Sequence, residues 1–195
     1  MYKRRFWLDV ETTGISAKKN FAFQMSYLIE EDNEILTKRT IEMRPDNYVN
    51  FEFDEKASKV HGYSKEQIIS MQSEQSGYQT LISDLEIYAG QKLTICGYSV
   101  DFDIQFMRAV FYRNKPKGNP RKSGLFYDYF DPMPFDIMQF VQGFRIAGVL
   151  DLDKIPLDKA CCAFNISTEG AHNSMIDIIA TKQLFDALKG SIKLK

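Results

Sequence analysis

Cysteine is scarce in this chain, with three among 195 residues. Cys96, Cys161 and Cys162 form no CxxC pair and are odd in number. That argues against a disulfide scaffold or zinc ribbon and for a reducing compartment. No run approaches ~18 uncharged apolar residues, so no membrane span is expected. The basic opening MYKRRFW lacks the apolar stretch of a signal peptide, because Asp9 and Glu11 interrupt it. Neither sign of charge dominates either: 25 Lys and Arg stand against 26 Asp and Glu, a net −1. Without a global basic field, affinity for nucleic acid must come from a local patch. Repeats and low-complexity tracts are missing, as are GxxxxGK, GxGxxG and HExxH. Asp151-Leu152-Asp153 begins like a calcium loop but lacks its glycine and closing glutamate, so it reads as an exposed turn. What is present is globular: 44% apolar and 26% charged residues, with 15 Phe and 10 Tyr. Composition and length predict one soluble, cytoplasmic domain over residues 1–195.

Phe6–Glu11 reads as a strand ended by Thr12-Thr13-Gly14. Phe21–Glu30 and Ile35–Met43 follow as strands around the turn-rich Glu31-Asp32-Asn33-Glu34, which makes an antiparallel meander. Helices are predicted around Ser64–Ser70 and Tyr78–Ala89. Leu93–Tyr98 is a short buried strand, and the helix after it, Phe102–Arg113, carries Phe102, Phe106, Ala109 and Val110 on one face. The segment Asn114–Ser123 is a loop. Phe135–Val141 reads as a strand entering a helix, and Leu157–Phe164 and Ser174–Leu188 as further helices. Cys161 and Cys162 read as core or near-core thiols. The order predicts an α/β fold, a mixed sheet covered by helices.

Alternation along the first strand sends Asp9 and Glu11 to one face and Phe6, Leu8 and Val10 to the other. Two carboxylates ~4 Å apart repel by ~4 kcal/mol at an effective dielectric of ~20. A divalent cation would reverse that sign. Two readings stand for the pair: a cation site, or the acidic outer face of a solvated edge strand. A second acidic site, Asp101 and Asp103, lies where a strand ends and a helix begins. Asp101 reads as the helix cap, leaving Asp103 as the better ligand candidate, although the helix dipole alone could justify it. The third site is His172 to Asp177. On one helix these two side chains would point ~140° apart. A cap at Asn173 or Ser174 would instead put His172 on the preceding loop, able to fold back toward Asp177.

The order and spacing of these sites resemble the DEDDh-type 3′–5′ exonucleases, the superfamily of proofreading subunits and ribonuclease T. Leu8-Asp9-Val10-Glu11-Thr12-Thr13-Gly14 is similar to their DxETTG motif. Phe102-Asp103-Ile104-Gln105-Phe106 resembles FDxxF, and His172 to Asp177 resembles HxxxxD. His61-Gly62 with Ser64 resembles an intermotif segment. The resemblance covers about residues 5–188. It departs at Tyr98-Ser99, where the family often has His-Asn, and at Asn173, where a basic residue is frequent.

The resemblance implies an RNase H-like fold and a metal-dependent 3′–5′ exonuclease. Such an enzyme would cut single-stranded DNA or RNA at a free 3′ end, with two Mg²⁺ or Mn²⁺ ions and a 5′-mononucleotide product. Carried over by position, Asp9 would bridge both ions, Glu11 and Asp177 would hold one, and Asp103 would help the other. His172 would be the general base. Thr12, Thr13, Gly14, His61 and Phe106 would meet the terminal nucleotide. From the residues themselves, Lys115, Lys117, Arg121 and Lys122 beside Phe126, Tyr127, Tyr129 and Phe130 read either as a single-strand contact or as a solvated loop with an aromatic anchor. The alternatives to an enzyme are a non-catalytic nucleic-acid-binding or polymerase-associated module, and an interaction domain with acids on its surface. A polymerase or a second copy of the chain is compatible as partner, and no membrane is.

Overall fold

Three strands build the expected meander: β1 (Arg5–Thr12), β2 (Ala22–Glu31) and β3 (Glu34–Arg44) pair antiparallel in sequence order. Asp32 and Asn33 turn the chain between β2 and β3 with φ of 53° and 69°. Two consecutive left-handed residues match the twist of the strands they join, and Asn and Asp tolerate that region best. Next come α1 (Glu55–His61), α2 (Lys65–Ile69), the short β4 (Gln72–Ser73), α3 (Glu74–Glu86), β5 (Thr94–Gly97) and α4 (Asp101–Arg113). The chain continues through α5 (Phe126–Tyr129), β6 (Phe135–Asp136), α6 (Ile137–Ile146), α7 (Leu157–Cys162) and α8 (Ser174–Ser191). The computed structural model describes residues 4–47, 51–119 and 125–191. Arg121 and Lys122, two of the cations expected to contact a strand, lie outside the described residues.

The sheet has six strands in the order β4-β3-β2-β1-β5-β6, with β5 and β6 parallel to β1. This is the mixed sheet expected. Alternation divides the two cores. Phe6, Leu8 and Val10 of β1 join Phe23, Met25, Tyr27 and Ile29 of β2 under α3 and α4. Trp7 and Leu28, on the opposite face, pack with Ile137 and Val141 of α6, Cys161 of α7 and Ile178, Leu184 and Leu188 of α8.

Some expectations are corrected. α1 is an addition, because its sequence EKASKVH buries none of its residues and so shows no apolar period; Asp54 starts it by accepting from the Lys56 N–H at 2.8 Å. α3 begins at Glu74 rather than Tyr78, since Ser73 caps it and the buried Glu74 pairs with Arg113 at 2.9 Å. Asp101 does not cap α4: the cap position is Val100, with no side-chain bond, and Asp101 is an exposed first-turn residue. Cys162 is exposed rather than in or near the core, one position past the buried Cys161. No described helix is long and apolar enough to cross a membrane.

Candidate active site

β1 is a central strand, so the solvated-edge reading of its carboxylates falls. Its pairing with β5 runs only from Arg5↔Thr94 to Trp7↔Cys96. Beyond that point β5 ends at Gly97, where a Cβ would come within 2.7 Å of the Leu8 carbonyl. The chain turns through Ser99, at φ 58°, into α4. The Ser99 N–H donates to Asp136 Oδ1 at 2.9 Å, the same oxygen that caps α6 by accepting from the Met138 N–H. With β5 gone, the Val10 N–H is left without a strand partner on that side, and Asp103 Oδ1 accepts it at 3.0 Å. Asp103 is thereby drawn to β1, 4% exposed.

Asp9 and Glu11 share the face opposite Val10, as alternation predicts. Asp177 arrives from the first turn of α8, and oxygens of Asp9, Glu11 and Asp177 all lie within 4.8 Å of one another. The third motif takes the folded-back arrangement. Asn173 Oδ1 accepts from the Met175 and Ile176 N–H groups at 3.2 and 3.4 Å, and so caps α8. His172 precedes it on the loop, exposed, and its backbone N–H donates to Asp177 Oδ2 at 3.1 Å. Its φ of 68° is left-handed, a conformation costing roughly 1–3 kcal/mol that tends to persist at functional sites.

Electrostatically the cluster is under-neutralised. Burial first, then the charges of Asp103, Asp177 and Glu11, hold the Asp9 carboxyl well above the usual range. Burial and then Asp177 push Glu11 up to about 8. Burial raises Asp103, against the opposing pull of the Val10 N–H bond. Asp177 is raised by burial and partly relieved by the N–H and charge of His172. Among the described residues no Lys or Arg forms an ion pair with any of these acids. Convergent oxygens with unmet negative charge fit a hard divalent cation.

The other expected residues divide. The Thr13 N–H donates to Phe21 O at 2.8 Å and its hydroxyl to Glu52 O at 2.9 Å, while the Thr12 hydroxyl donates to Gly14 O at 2.7 Å. These bonds shape the turn after β1. Gly14, at φ 156°, is required there by the chain itself, since a Cβ would meet the Asn20 side chain at 2.5 Å. Asn20 in turn donates to Thr13 O and Glu52 O and accepts from the Ser16 N–H. Gly14→Ala should therefore lower unfolding stability by about 1–3 kcal/mol. An unchanged denaturant midpoint would show that the turn can give way.

His61 accepts the Tyr63 N–H on Nδ1 at 3.0 Å and packs edge-on to Phe23, and among the described residues its buried Nε2 has no partner. Because Nδ1 accepts that bond, Nε2 is the nitrogen that carries a proton; burial lowers the ring's pKa. Phe106 is 2% exposed within the core, so the expected nucleotide contact is corrected; the half-buried Phe102 packs on it at 5.0 Å. Lys115, whose Nζ sits 4.6 Å from the Tyr112 ring, and Lys117 lie past the far end of α4. At 1.5 Å per residue the end of α4 at Arg113, which both lysines follow, is about 15 Å from Asp103 along that axis. Asp136 is absent from the expected residues, although an Asp at a strand-to-helix junction is legible as a cap.

A family model described as exonuclease, of the RNase T type, matches residues 6–185. The fold is similar to that of E. coli exonuclease I. In its zinc-bound complex with single-stranded DNA the TM-score is 0.78 at 18% identity, over 97% of this chain and 41% of that one. In its complex with a dA16 oligonucleotide the TM-score is 0.77 at 19% identity, over 96% and 41%. The chain thus spans about two fifths of the length of these solved relatives. A sequence search of curated proteins finds no match.

Proposed function

This chain belongs to the RNase T family of exonucleases, and from that membership we propose that it removes nucleotides stepwise from the 3′ end of single-stranded nucleic acid. The observation that carries the reading is the convergence of Asp9, Glu11 and Asp177 within 4.8 Å, with Asp103 drawn to the same strand by the Val10 N–H.

Divalent cations, when bound, would supply the positive charge that makes a phosphodiester attackable and stabilises the departing oxygen. Asp9, whose charge meets those of Asp103, Asp177 and Glu11, would be a ligand alongside each of them. Glu11 and Asp177 would complete the ligands of one ion, and Asp103 would serve the other. A site built from carboxylate oxygens suits Mg²⁺ or Mn²⁺ better than zinc, which favours nitrogen and sulfur. His172, exposed on the loop just before α8, would accept the proton of the attacking water. Its backbone bond to Asp177 ties the base to the same ligand set. His61, half-buried beside Phe23 and Tyr63, would be a further contact for the terminal nucleotide. Exonuclease I in the comparison is complexed with single-stranded DNA, which favours DNA as the first substrate to try.

The test uses 5′-labelled single-stranded DNA and RNA incubated with the protein in Mg²⁺, Mn²⁺ or EDTA. A ladder shortening from the 3′ end in metal and absent in EDTA is the expected result, and the two substrates rank the sugar preference. Substrate that stays intact in every metal condition would overturn the enzyme and leave a binding module.

A further inference from the structure

The start of α8 is held by a polar chain that runs across the sheet on the same face as the carboxylates, directly beside them. On β2, Ser26 stands opposite Asp9 and Gln24 opposite Glu11; on β3, Thr40 and Glu42 stand opposite those two. Both β2 residues are buried, Gln24 at 2% and Ser26 at 0% exposure. They face Ser174, the first residue of α8, which is also fully buried.

Ser174 has one hydroxyl proton and spends it on Gln24 Oε1, at 2.7 Å. Its backbone N–H, one of the donors that a helix start leaves unpaired, goes to the same oxygen at 3.3 Å. The Ser26 hydroxyl, 2.7 Å from that of Ser174, must then be the donor between them. By the same count Thr40 must donate to Ser26, again across 2.7 Å. The Gln24 amide is fixed in orientation from its other side, where Nε2 donates to Glu42 Oε1 at 3.0 Å. The chain therefore has one direction, from Thr40 through Ser26 and Ser174 to Gln24 and Glu42. Two turns further on, Lys182 Nζ lies 3.4 Å from the buried Glu30 Oε1, also of β2. With both points held, α8 cannot slide or roll without leaving buried polar groups unpaired.

We propose that the Gln24–Ser174–Ser26 network is a positioning device. It seats the first turn of α8 so that Asp177, three residues past Ser174, meets Asp9 and Glu11, with His172 bonded behind it. The inference rests on the cation-site reading above. Partners lying behind metal ligands typically contribute tenfold or more to affinity or rate, and a misplacement of about 1 Å is enough to do so.

The experiment titrates Mn²⁺ alone into wild type, Ser174→Ala and Ser26→Ala by calorimetry, with melting temperatures and single-strand kinetics alongside. Ser174→Ala is expected to weaken Mn²⁺ binding about tenfold and to lower kcat with KM unchanged. Ser26→Ala, which keeps the Ser174–Gln24 bonds, should shift both in the same direction by less. A lower melting temperature with unchanged Mn²⁺ affinity would reduce the network to ordinary packing and overturn the proposal. Should Ser174→Ala not fold, Ser26→Ala decides, and unchanged affinity there overturns the proposal equally. Failure of the wild type to bind Mn²⁺ would instead sink the cation-site reading itself, and this inference with it.

Discussion

Asp9→Asn is expected to abolish turnover while making the metal-free protein more stable. The Asp9 carboxyl is held well above its ordinary pKa by burial, then by Asp103, Asp177 and Glu11. In EDTA the asparagine removes one member of that mutual repulsion at nearly constant volume. Each ~1 kcal/mol regained corresponds to ~2–4 °C in Tm for a chain of this size. With divalent cations present the same change would, on the proposed cation-site reading, remove a central ligand. Cation chemistry supplies several kcal/mol of transition-state stabilisation, so at ~1.4 kcal/mol per decade the rate should fall ~10³-fold or more. Opposite signs distinguish a ligand cluster from a structural one, whose members lose stability and activity together. The pair of measurements is a melt in EDTA and a single-turnover rate in Mg²⁺. An Asn variant that melts lower and keeps its activity would remove Asp9 from the site.

How much of this is legible in the sequence depends on how local each signal is. β1 can be read because strand alternation is a local rule: it puts Asp9 and Glu11 together and Val10 behind them, where the structure has them. Asp103 is separable from Asp101 by the helix itself, since two residues rotate the side chain by about 200°. One faces solvent and the other meets β1. His172 and Asp177 meet through the cap at Asn173, again a short-range device. Phe106 shows the opposite. Helical spacing puts it on a core face, the family motif gives it to the nucleotide, and the core prevails.

The Gln24–Ser26–Ser174 network is not legible, for a tertiary reason. In a strand covered on both faces, Gln24 and Ser26 are as buried as Met25 and Tyr27. Alternation alone would turn these polar residues toward water. Only the arrival of α8, 150 residues later in the chain, supplies their partners.

The cluster also fixes how stability must depend on pH and cations together. Glu11 is pushed up to about 8, and Asp9 and Asp177 are raised as well. A carboxyl with a raised native pKa binds more protons folded than unfolded. Its contribution is complete below an ordinary carboxylate value of ~4.5 and is lost as pH climbs through the native value. The metal-free protein should therefore lose stability steadily between about pH 4.5 and 8. Cations act against this trend. On the proposed cation-site reading they bind the folded cluster alone, so they would stabilise by mass action, and they would compete with the same protons, so their affinity should rise over the same interval. Melting curves in EDTA and in millimolar Mg²⁺ should nearly coincide at about pH 5 and separate progressively up to about pH 8. Curves that stay parallel would mean that the protons and the cations do not compete. Carboxylates sharing one cation cannot behave that way, because each proton they keep occupies an oxygen the ion needs.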